Sequence, residues 1–259
     1  MLSVVEREVL RCRPIALRYF RSKSLKVERK PDSSPVTAAD WLIEERLRRC
    51  FAKAFPGERI VGEEMGGLGK AGSSYWTIDP IDGTRAFSRG LASWGIMVGK
   101  VESGRAVLGL CDFPAIGVTI AAASGVEPYE RAKSKITPLP RPRRVRGLAE
   151  AVIFHGGARW WLPTPYHRGF SRIVSDCYLE RAYGDCYGYL LALRGCADAV
   201  LDYGVKLWDM VPIAAIAQAT GRVLVDFNGK PSFTGPDTLM AHPFFAKTLV
   251  EILKTKRQK

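Results

Sequence analysis

Two aspartates, a proline, a glycine and a threonine fall together in Trp76-Thr77-Ile78-Asp79-Pro80-Ile81-Asp82-Gly83-Thr84-Arg85-Ala86-Phe87. Tyr75 to Ile78 is aromatic and β-branched, which reads as a buried strand that delivers Asp79 to the edge of a sheet. Pro80 fixes φ and cannot extend a ladder, so the chain is expected to turn there and fold Asp82 back toward Asp79. Two bare carboxylates brought this close repel each other, and one would take up a proton. A divalent hard cation relieves that repulsion, with the Ile81 carbonyl as a neutral oxygen ligand between the two acids. Gly83 lets the backbone approach a ligand, and Thr84 starts a short helical turn whose free N–H groups suit a phosphate.

The elements that must position these groups follow from periodicity and punctuation. Ser3 to Arg21 carries Val5, Val9, Cys12, Ala16 and Tyr19 at helical spacing, as one amphipathic helix would. Leu25 to Lys30 reads as a strand, and residues 30–35 as a polar turn. Thr37-Ala38-Ala39-Asp40 is a capping box with Asp in place of Glu, ahead of a helix from Trp41 to Ala54. Taken alone, Asp40 is a cap and nothing more. Arg59 to Gly62 reads as a short strand leading to Glu63-Glu64 and a glycine-rich loop from Gly66 to Gly72; adjacent glutamates of this kind are ordinarily solvated. Trp94 to Glu102, Ala106 to Asp112 and Gly117 to Ala122 run or alternate apolar between glycine turns, as consecutive antiparallel strands do. Glu127 to Arg146 is basic and proline-rich, and we place an irregular connection and a boundary there, between halves 1–135 and 136–259. Strand then alternates with helix, the mark of an α/β half: Ala151 to Phe154, Tyr166 to Asp176, Tyr178 to Ala182, a helix opened by Gly184-Asp185-Cys186, a strand ending at Asp202, and a helix from Met210 to Ala219 capped by Asp209 with Pro212 in its first turn. Val223 to Phe227 and Thr238 to Met240 finish the sheet, and Pro243 to Lys254 is a terminal helix.

With 259 residues and 47% apolar content the chain can bury one or two packed units. No apolar run approaches the roughly 20 residues of a membrane span, and Glu6, Arg7, Glu8 and Arg11 interrupt the N-terminus in a way a secretory signal does not, so the expectation is a cytoplasmic protein without a membrane partner. Six scattered cysteines without a C-x-x-C pair read as buried thiols, with a disulfide from Cys177 to Cys186 or Cys196 left open. The net charge of +13 is spread along the chain without a nucleic-acid fold signature, so no nucleic-acid partner is expected and steering of an anionic small molecule is a modest addition to plain surface charge. His155, His167 and His242 are isolated.

W-x-I-D-P-I-D-G-T, with G-E-E upstream and W-D downstream, resembles the inositol monophosphatase superfamily of magnesium-dependent phosphomonoesterases. Gly83 to Gly95 and Gly184 to Tyr189 are most similar to its histidinol-phosphate phosphatase branch. The resemblance runs from the first helix to about Gly221. It implies a layered α-β-α-β-α sandwich, α+β in the first half and α/β in the second, and a homodimer. It also implies two or three Mg²⁺ ions held by Glu63, Asp79, the Ile81 carbonyl, Asp82 and Asp209, and a water oriented by Glu63 with Thr84 and Asp40 as its relay. The phosphate would lie against Gly83 and Thr84 beside Asp82 and Asp209, while Gly184, Asp185, Cys186 and Asp202 would read the alcohol of a small phosphate ester. Histidinol phosphate is the first choice; inositol 1-phosphate or a sugar phosphate such as fructose 1,6-bisphosphate is the alternative, and a non-catalytic basic binding protein on the same fold a distant one. The family usually carries a glycine-rich hairpin where this chain has Glu127 to Arg146.

Overall fold

The structure is a computed structural model of the chain and describes every residue except 24, 32–34, 68–73 and 255–259. The central part of the expected 30–35 turn and most of the expected 66–72 loop therefore lie outside the described residues. Contacts divide the chain into two units, Met1–Pro138 with Val211–Ile216, and Leu139–Met210 with Ala217–Lys259. Where halves 1–135 and 136–259 were expected, the contact boundary falls after Pro138, and Val211–Ile216 groups with the first unit.

The first unit contains α1 (Leu2–Leu10), α2 (Arg13–Tyr19), β1 (Val27–Arg29), β2 (Pro35–Thr37), α3 (Ala38–Ala54), β3 (Ile60–Gly62), β4 (Tyr75–Asp82), α4 (Thr84–Ser88), β5 (Gly95–Glu102), β6 (Arg105–Phe113), β7 (Val118–Ala123), β8 (Val126–Ala132) and β9 (Lys135–Pro138). β3 to β9 form a seven-stranded sheet in sequence order, antiparallel except for the β3–β4 pair. β1 and β2 make a separate two-stranded ribbon. One apolar face of the sheet, with Trp76, Ile78, Ile96, Val98, Leu108 and Leu110, packs with Val5, Val9 and Ala16 of the first helices and Ile43, Leu47 and Phe51 of α3. Each such aliphatic side chain contributes about 1.5–3 kcal/mol by leaving water.

Two expectations need correction here. The single N-terminal helix is two, because Pro14 at the start of α2 has no N–H to continue the ladder from Leu10. The helical spacing still holds, since Val5, Val9, Cys12 and Ala16 are all fully buried. The 127–146 stretch is not irregular throughout: β8 and β9 pair as a hairpin at the sheet edge. Pro128 is accommodated at a register shift opposite Ala121–Ala123, where an extra residue on β8 leaves no ladder bond for proline to miss.

The second unit contains β10 (Val152–His155), α5 (His167–Asp176), β11 (Leu179–Arg181), α6 (Asp185–Leu193), β12 (Ala199–Tyr203), α7 (Leu207–Ala219), whose middle belongs to the first unit, β13 (Val223–Val225), β14 (Asp237–Ala241) and α8 (Pro243–Leu253). The sheet order is β11-β10-β12-β14-β13, parallel on the β11 side and antiparallel around β14. Its core joins Ile153, Leu201 and Leu239 to Phe170 and Ile173 of α5 and Phe245 and Leu249 of α8, with Trp161 stacked on Phe170 at 4.1 Å between ring centroids. All six cysteines are free of disulfides. Among the described residues no helix is long and apolar enough to cross a membrane.

Candidate metal centre

In a regular strand Asp79 and Asp82, three residues apart, would point to opposite faces of the sheet. Pro80 does not end the strand as expected; β4 runs on to Asp82, and the register against β5 slips, Asp79 facing Met97 and Asp82 facing Gly95. The extra residue is a bulge that reverses the alternation, so Ile78 and Ile81 both enter the core while both carboxylates turn to the other face. The Ile81 N–H donates to Asp79 Oδ1 at 3.0 Å, and the Thr84 hydroxyl donates to the Ile81 carbonyl at 3.0 Å, which ties the bulge to the start of α4. Gly83 has φ +86°, and a Cβ there would lie 2.9 Å from the Ser93 carbonyl, so both conformation and space require glycine.

The opposite face of the sheet also receives α7. Gly99 and Gly109 are direct partners across β5 and β6, and they make a shallow spot on which the helix sits. A Cβ on Gly109 would fall 2.0 Å from the Pro212 carbonyl oxygen, and one on Gly99 would fall 2.5 Å from Val211 Cγ1. These residues all belong to the first unit. Pro212 is inside the helix, not in its first turn as expected, because α7 begins at Leu207. Asp209 accordingly sits in the first turn and accepts the Lys206 N–H at 2.8 Å, stabilising the helix start from within.

Asp209 lies on this same helix, two residues before Val211. Each of Asp79, Asp82 and Asp209 offers a carboxylate oxygen, and these oxygens lie within 4.8 Å of one another. An all-oxygen, all-carboxylate set suits a hard divalent cation, which would cancel the repulsion such crowding creates. Glu63 is not one of the three. It follows β3, its N–H donating to the Ile78 carbonyl at 3.1 Å, and its carboxylate accepts from Lys30 Nζ at 2.7 Å, while Glu64 accepts from the same ammonium at 2.6 Å. Burial works against the Lys30 charge, but the two carboxylate hydrogen bonds outweigh it and raise its pKa. Burial pushes Glu64 up to about 7, against the Lys30 hydrogen bond.

Asp40 is fully buried and closes the expected capping box, its Oδ2 accepting the Thr37 N–H at 2.8 Å and hydroxyl at 2.6 Å. Burial holds it up at about 6 despite those bonds, and the negative charge of Glu63 adds to the rise. Its Oδ1 is buried and has no hydrogen-bond partner among the described residues. A buried acceptor left this way fits a site completed by a water or cation. Thr84 is thus tied to Ile81 and Asp40 to Thr37, and among the described residues neither is hydrogen-bonded to Glu63.

Within the second unit, Gly156, Gly184 and Asp202 converge: a Cβ on Gly156 would fall 2.0 Å from Asp202 Oδ1, and one on Gly184 would fall 3.0 Å from the Gly156 Cα. Asp185 opens α6 at φ +54°, the left-handed region unusual for a residue with a Cβ, and Cys186 is buried behind it. Asp202 accepts the Tyr203 N–H at 2.9 Å, and burial, with the charges of Asp185 and Asp209 adding, raises it to about 8. Sequence reasoning missed Lys30, for which a lone lysine beside a turn carries no signal. It also missed Gly99 and Gly109, although isolated glycines inside strands do signal close backbone approach.

The fold and this carboxylate site define a phosphatase with a candidate metal centre. The chain belongs to the inositol monophosphatase family, whose profile matches residues 1–258, and it is a phosphoric monoester hydrolase. It is 30% identical over 227 residues to a histidinol-phosphatase of Chlorobaculum parvum, covering 88% of this chain and 86% of that one. It is 28% identical over 232 residues to the inositol-1-monophosphatase ImpA of Mycolicibacterium smegmatis, covering 88% and 83%. An inositol monophosphatase structure from Zymomonas mobilis superposes with a TM-score of 0.82 at 26% identity, covering 98% and 97% of the two chains. The extragenic suppressor protein SuhB of Bartonella henselae shares the fold, with a TM-score of 0.85 at 19% identity and 99% of each chain covered.

Proposed function

We propose that the chain hydrolyses histidinol phosphate with Mg²⁺, using water as the nucleophile. The observation that carries this reading is the meeting of Asp79, Asp82 and Asp209 oxygens within 4.8 Å. Those three, with Glu63 and the Ile81 carbonyl, would hold two or three Mg²⁺ ions. Bound there, the metals would neutralise the phosphate, activate a water and stabilise the leaving alkoxide. Glu63 would orient that water or take its proton, with Thr84 and Asp40 supporting it. Gly83 and Thr84 would receive the phosphate on their N–H groups, and Gly184, Asp185, Cys186 and Asp202 would contact the alcohol. A cationic amine and imidazole suit the acids Asp185 and Asp202. Relatives named histidinol-phosphatase in Chlorobaculum parvum, Streptomyces coelicolor and Mycobacterium tuberculosis, at 28–30% identity, support this choice. The second reading, an inositol or sugar phosphate, is favoured by the ImpA match and by a fructose-1,6-bisphosphatase/inositol-1-monophosphatase of Aquifex aeolicus at 25% identity. A cytoplasmic homodimer completes the proposal.

The test is phosphate release from a panel of monoesters with and without Mg²⁺. Higher kcat/KM on histidinol phosphate than on inositol 1-phosphate is expected. Preference for a polyol phosphate overturns the substrate, and metal-independent release overturns the metal.

A further inference from the structure

Glu44 is a fully buried carboxylate one helical turn after Asp40 on α3, and it is not part of the acidic cluster. Its oxygens face the backbone that follows β3: Oε2 accepts the Glu64 N–H at 2.7 Å, and Oε1 accepts the Met65 N–H at 3.0 Å. Arg48, one turn further on, donates its Nε to the same Oε1 at 2.8 Å, then reaches past it to the Gly66 carbonyl at 2.5 Å and the Ile60 carbonyl at 3.3 Å. Gly62 completes the arrangement, because a Cβ there would fall 2.0 Å from Glu44 Oε1 and push the carboxylate away. On its other side the segment is tied by the Glu63 N–H to Ile78 of β4 and by the Gly62 N–H to the Gly66 carbonyl.

A buried ion pair is a poor source of stability, since desolvation offsets most of its attraction. Apolar residues would fill this part of α3 at least as well. What the pair does supply is geometry, for it binds the N–H groups of the two residues directly after Glu63 and the carbonyls on both sides of it. From this we infer that Glu44 and Arg48 are positioning residues, a clamp that fixes the Glu63–Met65 backbone so that the Glu63 carboxylate is presented to a divalent cation. The inference rests on the reading of Glu63 as a metal ligand.

The test compares Glu44→Gln and Arg48→Met with wild type in the full chain. Gln keeps one acceptor, but its amide NH₂ opposes an N–H that Glu44 accepts; Met keeps the carboxylate and removes the carbonyl contacts. Hydrogen exchange on the metal-free protein is expected to rise at the Glu64 and Met65 amides in both variants. Mn²⁺ binding by calorimetry is expected to weaken about tenfold in Glu44→Gln and about threefold in Arg48→Met. The Mg²⁺ concentration for half-activation should rise in parallel, with kcat recovered at saturating metal. A merely structural tie would lower the Tm and leave half-activation unchanged, and that result overturns the inference. Unchanged exchange at both amides overturns it as well, whatever the metal does. If Glu44→Gln does not fold, wild-type Mn²⁺ affinity in Arg48→Met is the refuting outcome. Increased exchange in the variants together with absent Mn²⁺ binding by wild type would sink the metal reading and leave the clamp.

Discussion

Replacing Gly109 with alanine should disturb the proposed metal centre without touching any of its proposed ligands. A Cβ at this position would lie 2.0 Å from the Pro212 carbonyl oxygen and within 2.9 Å of the Pro212 Cα, both backbone atoms that cannot rotate away. Ordinary contact needs about 3.4 Å, so the helix must retreat by about 1.4 Å. Overpacking of this kind costs about 1–3 kcal/mol, a fall in Tm of roughly 2–6 °C for a chain of this size. The larger effect is on chemistry. Asp209 is on the same helix, about 4.5 Å along its axis from Pro212, and moves with it. Mg²⁺ tolerates little departure from octahedral ligation at about 2.0–2.1 Å, and misplacement of a catalytic group by about 1 Å costs on the order of 100-fold. We expect kcat to fall about 100-fold and half-activation to need more Mg²⁺, while circular dichroism shows a folded protein. Gly99→Ala should be milder, because its nearest neighbour is the movable Val211 side chain at 2.5 Å. Wild-type kcat and Mg²⁺ dependence in Gly109→Ala would refute the seating of α7 as what places Asp209, and so would a larger loss in Gly99→Ala.

Asp79→Asn keeps an acceptor for the Ile81 N–H and should fold normally while losing at least about 100-fold in phosphate release; near-normal release contradicts its role as a metal ligand. Asp112→Ala leaves the Arg13 guanidinium, now held by that carboxylate at 2.6–3.1 Å, with only the Thr119 hydroxyl at 3.0 Å, and should lower the unfolding free energy in urea by up to about 3 kcal/mol, with no loss showing that water replaces the carboxylate. Burial pushes the Cys12 thiol up to about 12, so it stays protonated and unreactive near pH 8, whereas exposed Cys196 should react fast with a thiol reagent. Fast native-state labelling mapped to Cys12 would show that its packing opens.

How much of this was legible beforehand depends on how local each signal is. The capping box at Thr37–Asp40, the strand through Trp76 and Ile78, and the short helical turn starting at Thr84 depend on neighbours in sequence, and the structure has them where those neighbours put them. The expected turn at Pro80 brought the right carboxylates together by the wrong route. Proline excludes a ladder bond equally in a turn and in a bulge, and only the pairing of β4 with β5 decides between them. The hairpin of β8 and β9 was hidden for a similar reason, since its strands are polar and partly exposed, and their signal lies in the partner β7.

The family of this chain, and acidic side chains of a type that could bind a cation, were readable without coordinates, because ligand chemistry is a property of residue type and the D-P-I-D-G-T spacing is local. Tertiary structure alone decided that Asp209 joins Asp79 and Asp82, and that Lys30 holds Glu63 and Glu64. Those contacts are made between segments distant in the chain. They depend on how closely two backbones approach, as at Gly109 and Pro212, and sequence spacing does not encode that distance.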